Sequence, residues 1–336
     1  RHGRESLADA LRQSEGPDGF AWDVAVNLGD HSGTQGEPDD AEGAEVVRQY
    51  AALRTHRREQ IYDVGGNHDR SDVGTPEGAW VDRWLDPTGS HPASSGVHAD
   101  RRPYPVLGTW ERYSVEIGNL LLLLMSDRNE PSRHLPRSEV GGNPGGVVSA
   151  ETFAWWRDQL RSHPEHLVIT GHHYVPKDTT VASGEWEGCW RDSDGTVHQP
   201  YHGYKPRGTP NGASYLYFVG GAADSGAFEG ELAADPGRCA LWLGGHTHSY
   251  PGDRAGGKRH VETRWGTHVL NVSALTRHHH GAVPMSRVLT FVPGSRQLTV
   301  ECVLHTDELA PAGFHAPERR VLTLPRPFLR QSPGAP

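Results

Sequence analysis

Four short apolar runs, each ending in a cluster of polar side chains, constrain the fold of this 336-residue chain more than any other feature. Val24-Ala25-Val26-Asn27-Leu28 leads into Gly29-Asp30, and the segment 60–64 leads into Gly65-Gly66-Asn67-His68-Asp69. Further on, Leu167-Val168-Ile169-Thr170 precedes His172-His173, and Ala240-Leu241-Trp242-Leu243 precedes Gly245-His246-Thr247-His248. A run of about four to eight apolar residues bounded by turn residues reads as a buried strand. In α/β sheets, ligands gather at the carboxyl ends of such strands. Four loops of this kind can therefore meet at one site.

The rest of the chain supplies elements to build around them. The coarse pattern predicts helices at about 4–14, 40–58 and 150–162, and strands at about 22–28, 60–64, 112–117, 120–126 and 166–170. Ser149 is the N-cap candidate of the third helix, which continues with an acidic first turn and apolar residues at spacings of three and four. Its tryptophans, Trp155 and Trp156, read as core. The run Leu120-Leu121-Leu122-Leu123-Leu124-Met125 is too short to cross a bilayer, which takes about 20 residues, and reads as a central strand. Runs at 268–273, 286–292, 297–304 and 319–323 read as later strands, and the Pro-rich end after 324 as a tail.

Taken in order, the polar clusters resemble those of the calcineurin-like metallophosphoesterase superfamily, whose blocks are D-x-H, G-D, G-N-H-[D/E], a lone His, and G-H-x-H. Four of the five blocks are present, between residues 29 and 248. For the first block, Arg1-His2-Gly3 followed by the helical pattern of Glu5 to Leu11 makes His2 the candidate histidine. The block's Asp is then expected just before Arg1, and the chain reads as a fragment. The 28 residues from His2 to Asp30 suit a helix, a loop and a return strand, as a parallel crossover requires.

The resemblance implies an α/β fold (α+β in some schemes), a four-layer sandwich in which two mixed β-sheets pack face to face and are flanked by helices. It implies one catalytic domain over 1–324, with substrate loops at about 71–111 and 178–214 and a tail at 325–336. It also implies a hydrolase of phosphate esters, mono- or diesters, using two divalent or trivalent metal ions (Mn, Fe, Zn or Co) and a hydroxide held between them. Asp30 would bridge the metals, since a carboxylate offers two oxygens to cations roughly 3.5 to 4 Å apart. His31 beside it reads as a bystander. The first metal would take the missing Asp, His2, Asp30 and His248. The second would take Asp30, Asn67, His172 and His246. His172 is the first His after its strand, with His173 as the alternative, and Tyr174 stands where the family often has Pro.

His68 would donate a proton to the leaving oxygen, with Asp69 orienting its ring. Residues i and i+2 of extended backbone share a face, so His246 and His248 can both serve the metals while Thr247 points away. Arg70 is a candidate phosphate contact. His278-His279-His280 invites a further phosphate or metal contact, but three adjacent side chains alternate in direction and a solvated surface run is the plainer reading.

The resemblance implies a small phosphate ester as partner, and composition bears on the alternatives. A net charge of −9 with a pI near 6.2 argues against a nucleic-acid binder, and so against a nuclease of the same fold. A binding protein that keeps the fold without catalysis is the other alternative; it predicts missing ligands. Lysine is confined to Lys177, Lys205 and Lys258 among 33 basic residues, a bias from which no mechanism follows. The cysteines Cys189, Cys239 and Cys302 are scattered and odd in number, which indicates neither a disulfide framework nor a cysteine zinc site. No membrane span is present in the sequence and a cytoplasmic location is expected, with a removed secretory signal left open.

Overall fold

The computed structural model describes residues 6–34, 37–70, 79–128, 146–184, 189–191, 197–200, 216, 218–219, 222–223, 226–276 and 283–331. Its principal helices are α1 (Ser6–Ser14), α2 (Asp40–Tyr50), α3 (Ala150–Ser162) and α4 (Ala227–Ala234). The principal strands are β1 (Ala25–Asn27), β2 (Ile61–Asp63), β3 (Val106–Gly108), β4 (Arg112–Ile117), β5 (Leu120–Met125), β6 (Leu167–His172), β7 (Cys239–Gly244), β8 (Val261–Arg264) and β9 (Thr267–Asn271). They continue with β10 (Met285–Phe291), β11 (Gln297–Leu304), β12 (Gly313–Phe314) and β13 (Arg320–Thr323).

The strands form a seven-stranded sheet of order β8-β9-β7-β6-β5-β4-β3 and a four-stranded sheet in which β11 pairs with β10, β12 and β13. β1 and β2 form a separate parallel pair. In the large sheet the neighbours β5, β6, β7 and β9 are parallel, so their carboxyl ends lie along one edge. The outer pairs β8·β9, β4·β5 and β3·β4 are antiparallel.

All six residues of β5 are buried, because both faces of this sheet are covered. Leu120, Leu122 and Leu124 join Ile169, Leu241 and Leu243 in a cluster with Tyr62, Val64, Leu298 and Val300, from β2 and its loop and from β11. Leu121, Leu123 and Met125 face the other way, onto Trp156 and Leu160 of α3 and Phe228 and Leu232 of α4. On the far side of the parallel pair, Ile61 packs with Leu11 of α1 and Val46 and Tyr50 of α2. The order of layers is helix, sheet, sheet, helix, the mixed α/β sandwich expected.

Local chemistry sets the element ends. α3 begins where the Ser149 side chain accepts from the Thr152 N–H at 3.0 Å, and Trp156 is fully buried with its indole N–H on Thr170 Oγ1. α2 begins with a capping box between Asp39 and Glu42 but ends at Tyr50, eight residues short of the predicted 58. The reason lies in Glu15, whose carboxylate accepts the backbone N–H groups of Arg54, Thr55 and His56 at 2.7, 3.2 and 2.8 Å. Those donors are spent outside a helix.

Two further segments differ from expectation. Residues 325–331, read as a tail, return to the sandwich: Leu329 N–H donates to Asn119 Oδ1 at 2.7 Å, and Phe328 joins the inter-sheet cluster. Within 71–111, Arg102 is buried and donates to the Glu59 and Ile61 carbonyls at 3.1 Å each, which ties that end of the predicted substrate loop into the fold. Residues 71–78 and most of 178–214 lie outside the described residues. Among the described residues no helix is long and apolar enough to cross a membrane.

Candidate metal centre

The loops after β1 and β2 touch before any side chain is considered. A Cβ on Gly29, whose φ is +103°, would lie 2.5 Å from the Gly66 nitrogen, and a Cβ on Gly66 would lie 2.3 Å from Asp30 Oδ1. Only glycine at both positions permits this approach. Asp30 and His246 adopt left-handed backbone, with φ of 60° and 67°, a conformation that side chains other than glycine rarely take. The loops after β1 and β7 thus aim these two residues at some conformational cost.

Three side chains converge. Asp30 Oδ2 lies 3.1 Å from His173 Nε2, and His173 Nε2 lies 3.2 Å from His246 Nδ1. The three ligand atoms are all within 4.8 Å of one another. His173 Nδ1 donates to the Leu28 carbonyl at 2.7 Å, which leaves Nε2 as the ring nitrogen turned toward Asp30 and His246. The other carboxylate oxygen of Asp30 accepts the His68 backbone N–H at 3.0 Å. Tyr174 stacks on the His246 ring at 4.1 Å between centroids and fixes its plane.

A carboxylate and two imidazoles, each with an oxygen or ring nitrogen turned toward one point, match the mixed donor set that divalent transition metals take. Burial opposes charge on Asp30, but His173 and His68 outweigh it and hold the carboxyl well below its ordinary range. Burial likewise opposes charge on His173, and Asp30 reverses it, raising the imidazole above its usual value. Each group is thus electrostatically committed to its neighbours.

His173, not His172, reaches this cluster. His172 is fully buried in the last position of β6, its Nδ1 accepting the Tyr174 N–H at 2.9 Å and its Nε2 lying 4.0 Å from Asp127 Oδ2. Burial and the neighbouring His173 push its pKa down to about 3. Neighbouring residues of a strand point to opposite faces, so the choice between the two depends on register.

The G-N-H-D loop also divides its labour differently from the expectation. The His68 ring donates from Nδ1 to the Thr34 carbonyl at 2.7 Å, so a backbone carbonyl orients it. Asp69 accepts the Gly66 and Ser32 backbone N–H groups, both at 2.8 Å, and faces His31 Nδ1 at 3.2 Å. His31, read as a bystander, is buried between two carboxylates, with Asp63 Oδ1 3.0 Å from its Nε2. Burial disfavours its charged form, yet the hydrogen bonds to Asp63 and Asp69 prevail and raise its pKa to about 9. Asp63 is bound in turn by Arg58 at 2.6 Å and by the Tyr50 hydroxyl. One sequence signal could have found this network: an Asp inside the buried strand Ile61–Asp63 needs a partner.

Asn67 is buried, and both it and His248 line the cavity that holds Asp30, His68, His173 and His246. Arg70 Nη1 lies 3.4 Å from Glu37 Oε1. His2 and His278-His279-His280 lie outside the described residues.

No family model matches the chain, and no curated protein matches it. Among solved structures it is similar to a dimetal phosphatase from Danio rerio, at 10% identity over 95% of this chain and 88% of that one, with a TM-score of 0.46.

Proposed function

We propose that the protein is a metal-dependent hydrolase of phosphate esters. The observation that carries this reading is the convergence of Asp30, His173 and His246 at the carboxyl ends of parallel strands. The ordered G-D, G-N-H-D, His and G-H-x-H blocks support it from the sequence. Asp30, His173 and His246 would hold one metal ion, with Asn67 as a further oxygen donor. His248 and the candidate His2 would serve a second ion beside Asp30. Bound metals would polarise the phosphoryl group and supply the nucleophile at neutral pH.

The chain's own residues would do the rest. His68, with Nδ1 bonded to the Thr34 carbonyl, presents Nε2 as the nitrogen that hands a proton to the leaving ester oxygen. General acid catalysis of this kind is typically worth about 10²–10⁴-fold. Asp69 and His31 keep the loop shaped around Asp30, and the Thr34 carbonyl holds His68 in orientation. A small phosphomonoester or phosphodiester is the substrate class.

The test is turnover of p-nitrophenyl phosphate and bis-p-nitrophenyl phosphate with and without Mn²⁺. Metal-dependent release of nitrophenol from either is expected. His68→Ala is expected to lose about 10²-fold or more of that rate while retaining its metal. Metal binding without turnover on either ester would favour the non-catalytic binding protein instead.

A further inference from the structure

Beyond the metal cluster, the loop after β7 leads into a second buried polar group. The Ser249 hydroxyl lies 2.9 Å from Nε2 of His260, and the Ser249 backbone N–H donates to Ser273 Oγ at 3.1 Å. His260 is fully buried, and its Nδ1 has no hydrogen-bond partner among the described residues. Three guanidinium groups act on His260, foremost Arg287 of β10, then Arg254 and Arg320.

Arg287 is the anomaly. Its Nε, Nη1 and Nη2 are all buried, and none meets an oxygen or nitrogen acceptor among the described residues. The Cys302 sulfur, a weak acceptor, and the Glu318 carboxylate are the groups that favour its charge. Glu318 is already engaged, with Oε2 3.3 Å from Arg320 Nη2 and Oε1 3.8 Å from Arg254 Nη2. The nearby Asp253 turns Oδ1 to the Arg254 backbone N–H at 2.6 Å. A guanidinium cannot shed its proton to escape burial, so its five donors need acceptors and its charge needs a counter-charge.

We propose that Arg287 and His260, with Arg254 and Arg320 around them, form a binding site for a phosphate-class oxyanion, separate from the Asp30–His173–His246 cluster. The planar fork of Arg287 matches two oxygens of such an anion. With the Ser249 hydroxyl donating to Nε2, His260 offers a third donor from Nδ1. Arg287 also lines the cavity that contains Asp30 and His246. The inference goes beyond the phosphoesterase reading and stands or falls independently of it.

The experiment is thermal unfolding of the chain in rising inorganic phosphate, against chloride at matched ionic strength, for the parent, Asp30→Asn and Arg287→Met. A saturable, phosphate-specific rise in Tm is expected in the parent and in Asp30→Asn. In Arg287→Met the phosphate midpoint is expected to move at least about tenfold, because bonds to a charged group are lost. Arg320→Met is the second variant if Arg287→Met does not fold, with the same expectation. No specific rise in the parent, an unmoved midpoint in the arginine variant, or loss of the effect in Asp30→Asn would each overturn the proposal. A parallel series with glycerol phosphate identifies the source: protection by both ligands assigns the site to a phosphate ester, and by inorganic phosphate alone to the free ion.

Discussion

Gly66 and Asp30 occupy adjoining space so closely that a single methyl group separates a working arrangement from a broken one. Gly66→Ala would place a carbon 2.3 Å from Asp30 Oδ1 and 2.4 Å from its backbone nitrogen, so the carboxylate must move. The variant is expected to fold with lower Tm and to lose metal binding, measured by calorimetric titration with Mn²⁺; unchanged affinity would show that Asp30 is not held by this contact. His31→Leu would leave Asp63 and Asp69 without the imidazolium between them, at a cost of about 3–5 kcal/mol in urea unfolding. Asp30, Asn67, His68 and His246 were legible as site candidates because each sits in a short motif at the end of an apolar run. The choice of His173 over His172 was not legible, since a one-residue change of register exchanges the two faces of a strand. His31 was missed because its partners Asp63 and Asp69 come close only when β1 and β2 pair.

Helix α3 was predicted over its full length, and its cap explains why: the Ser149 signal is local and the structure uses it. Ser149→Ala is expected to cost about 0.5–2 kcal/mol in chemical denaturation. Helix α2 was overextended because the signal that ends it is distant, residing in Glu15 on the far side of β1. Burial alone would raise the Glu15 pKa, but hydrogen bonds from His56, then Arg54 and Thr55, bring it down from 4.5 to about 2. A carboxylate depressed in the folded state contributes stability above its unfolded pKa, and that contribution is lost as pH falls through the folded value. The parent should therefore lose stability between about pH 4.5 and 2 that Glu15→Gln lacks throughout. Equal slopes of unfolding free energy against pH for the two proteins would refute the assignment.

The sandwich as a whole follows from alternation: β5 is apolar on both faces because helices cover one and a second sheet the other. That much could be read from six consecutive apolar residues and the strands around them. The return of residues 325–331 onto Asn119 could not, because its hydrogen bonds join positions some 210 residues apart and carry no local pattern. The layered arrangement brings the ends of β1, β2, β6 and β7 to one edge, and so places Asp30, His173 and His246 together. Calorimetric titration of Mn²⁺ into the parent, His173→Ala and His172→Ala tests this convergence most directly. His173→Ala should lose more than the roughly 10–100-fold in affinity that loss of an outer partner costs, and His172→Ala should bind nearly as the parent does. Parent-like binding by His173→Ala, or no binding by the parent, would contradict the account.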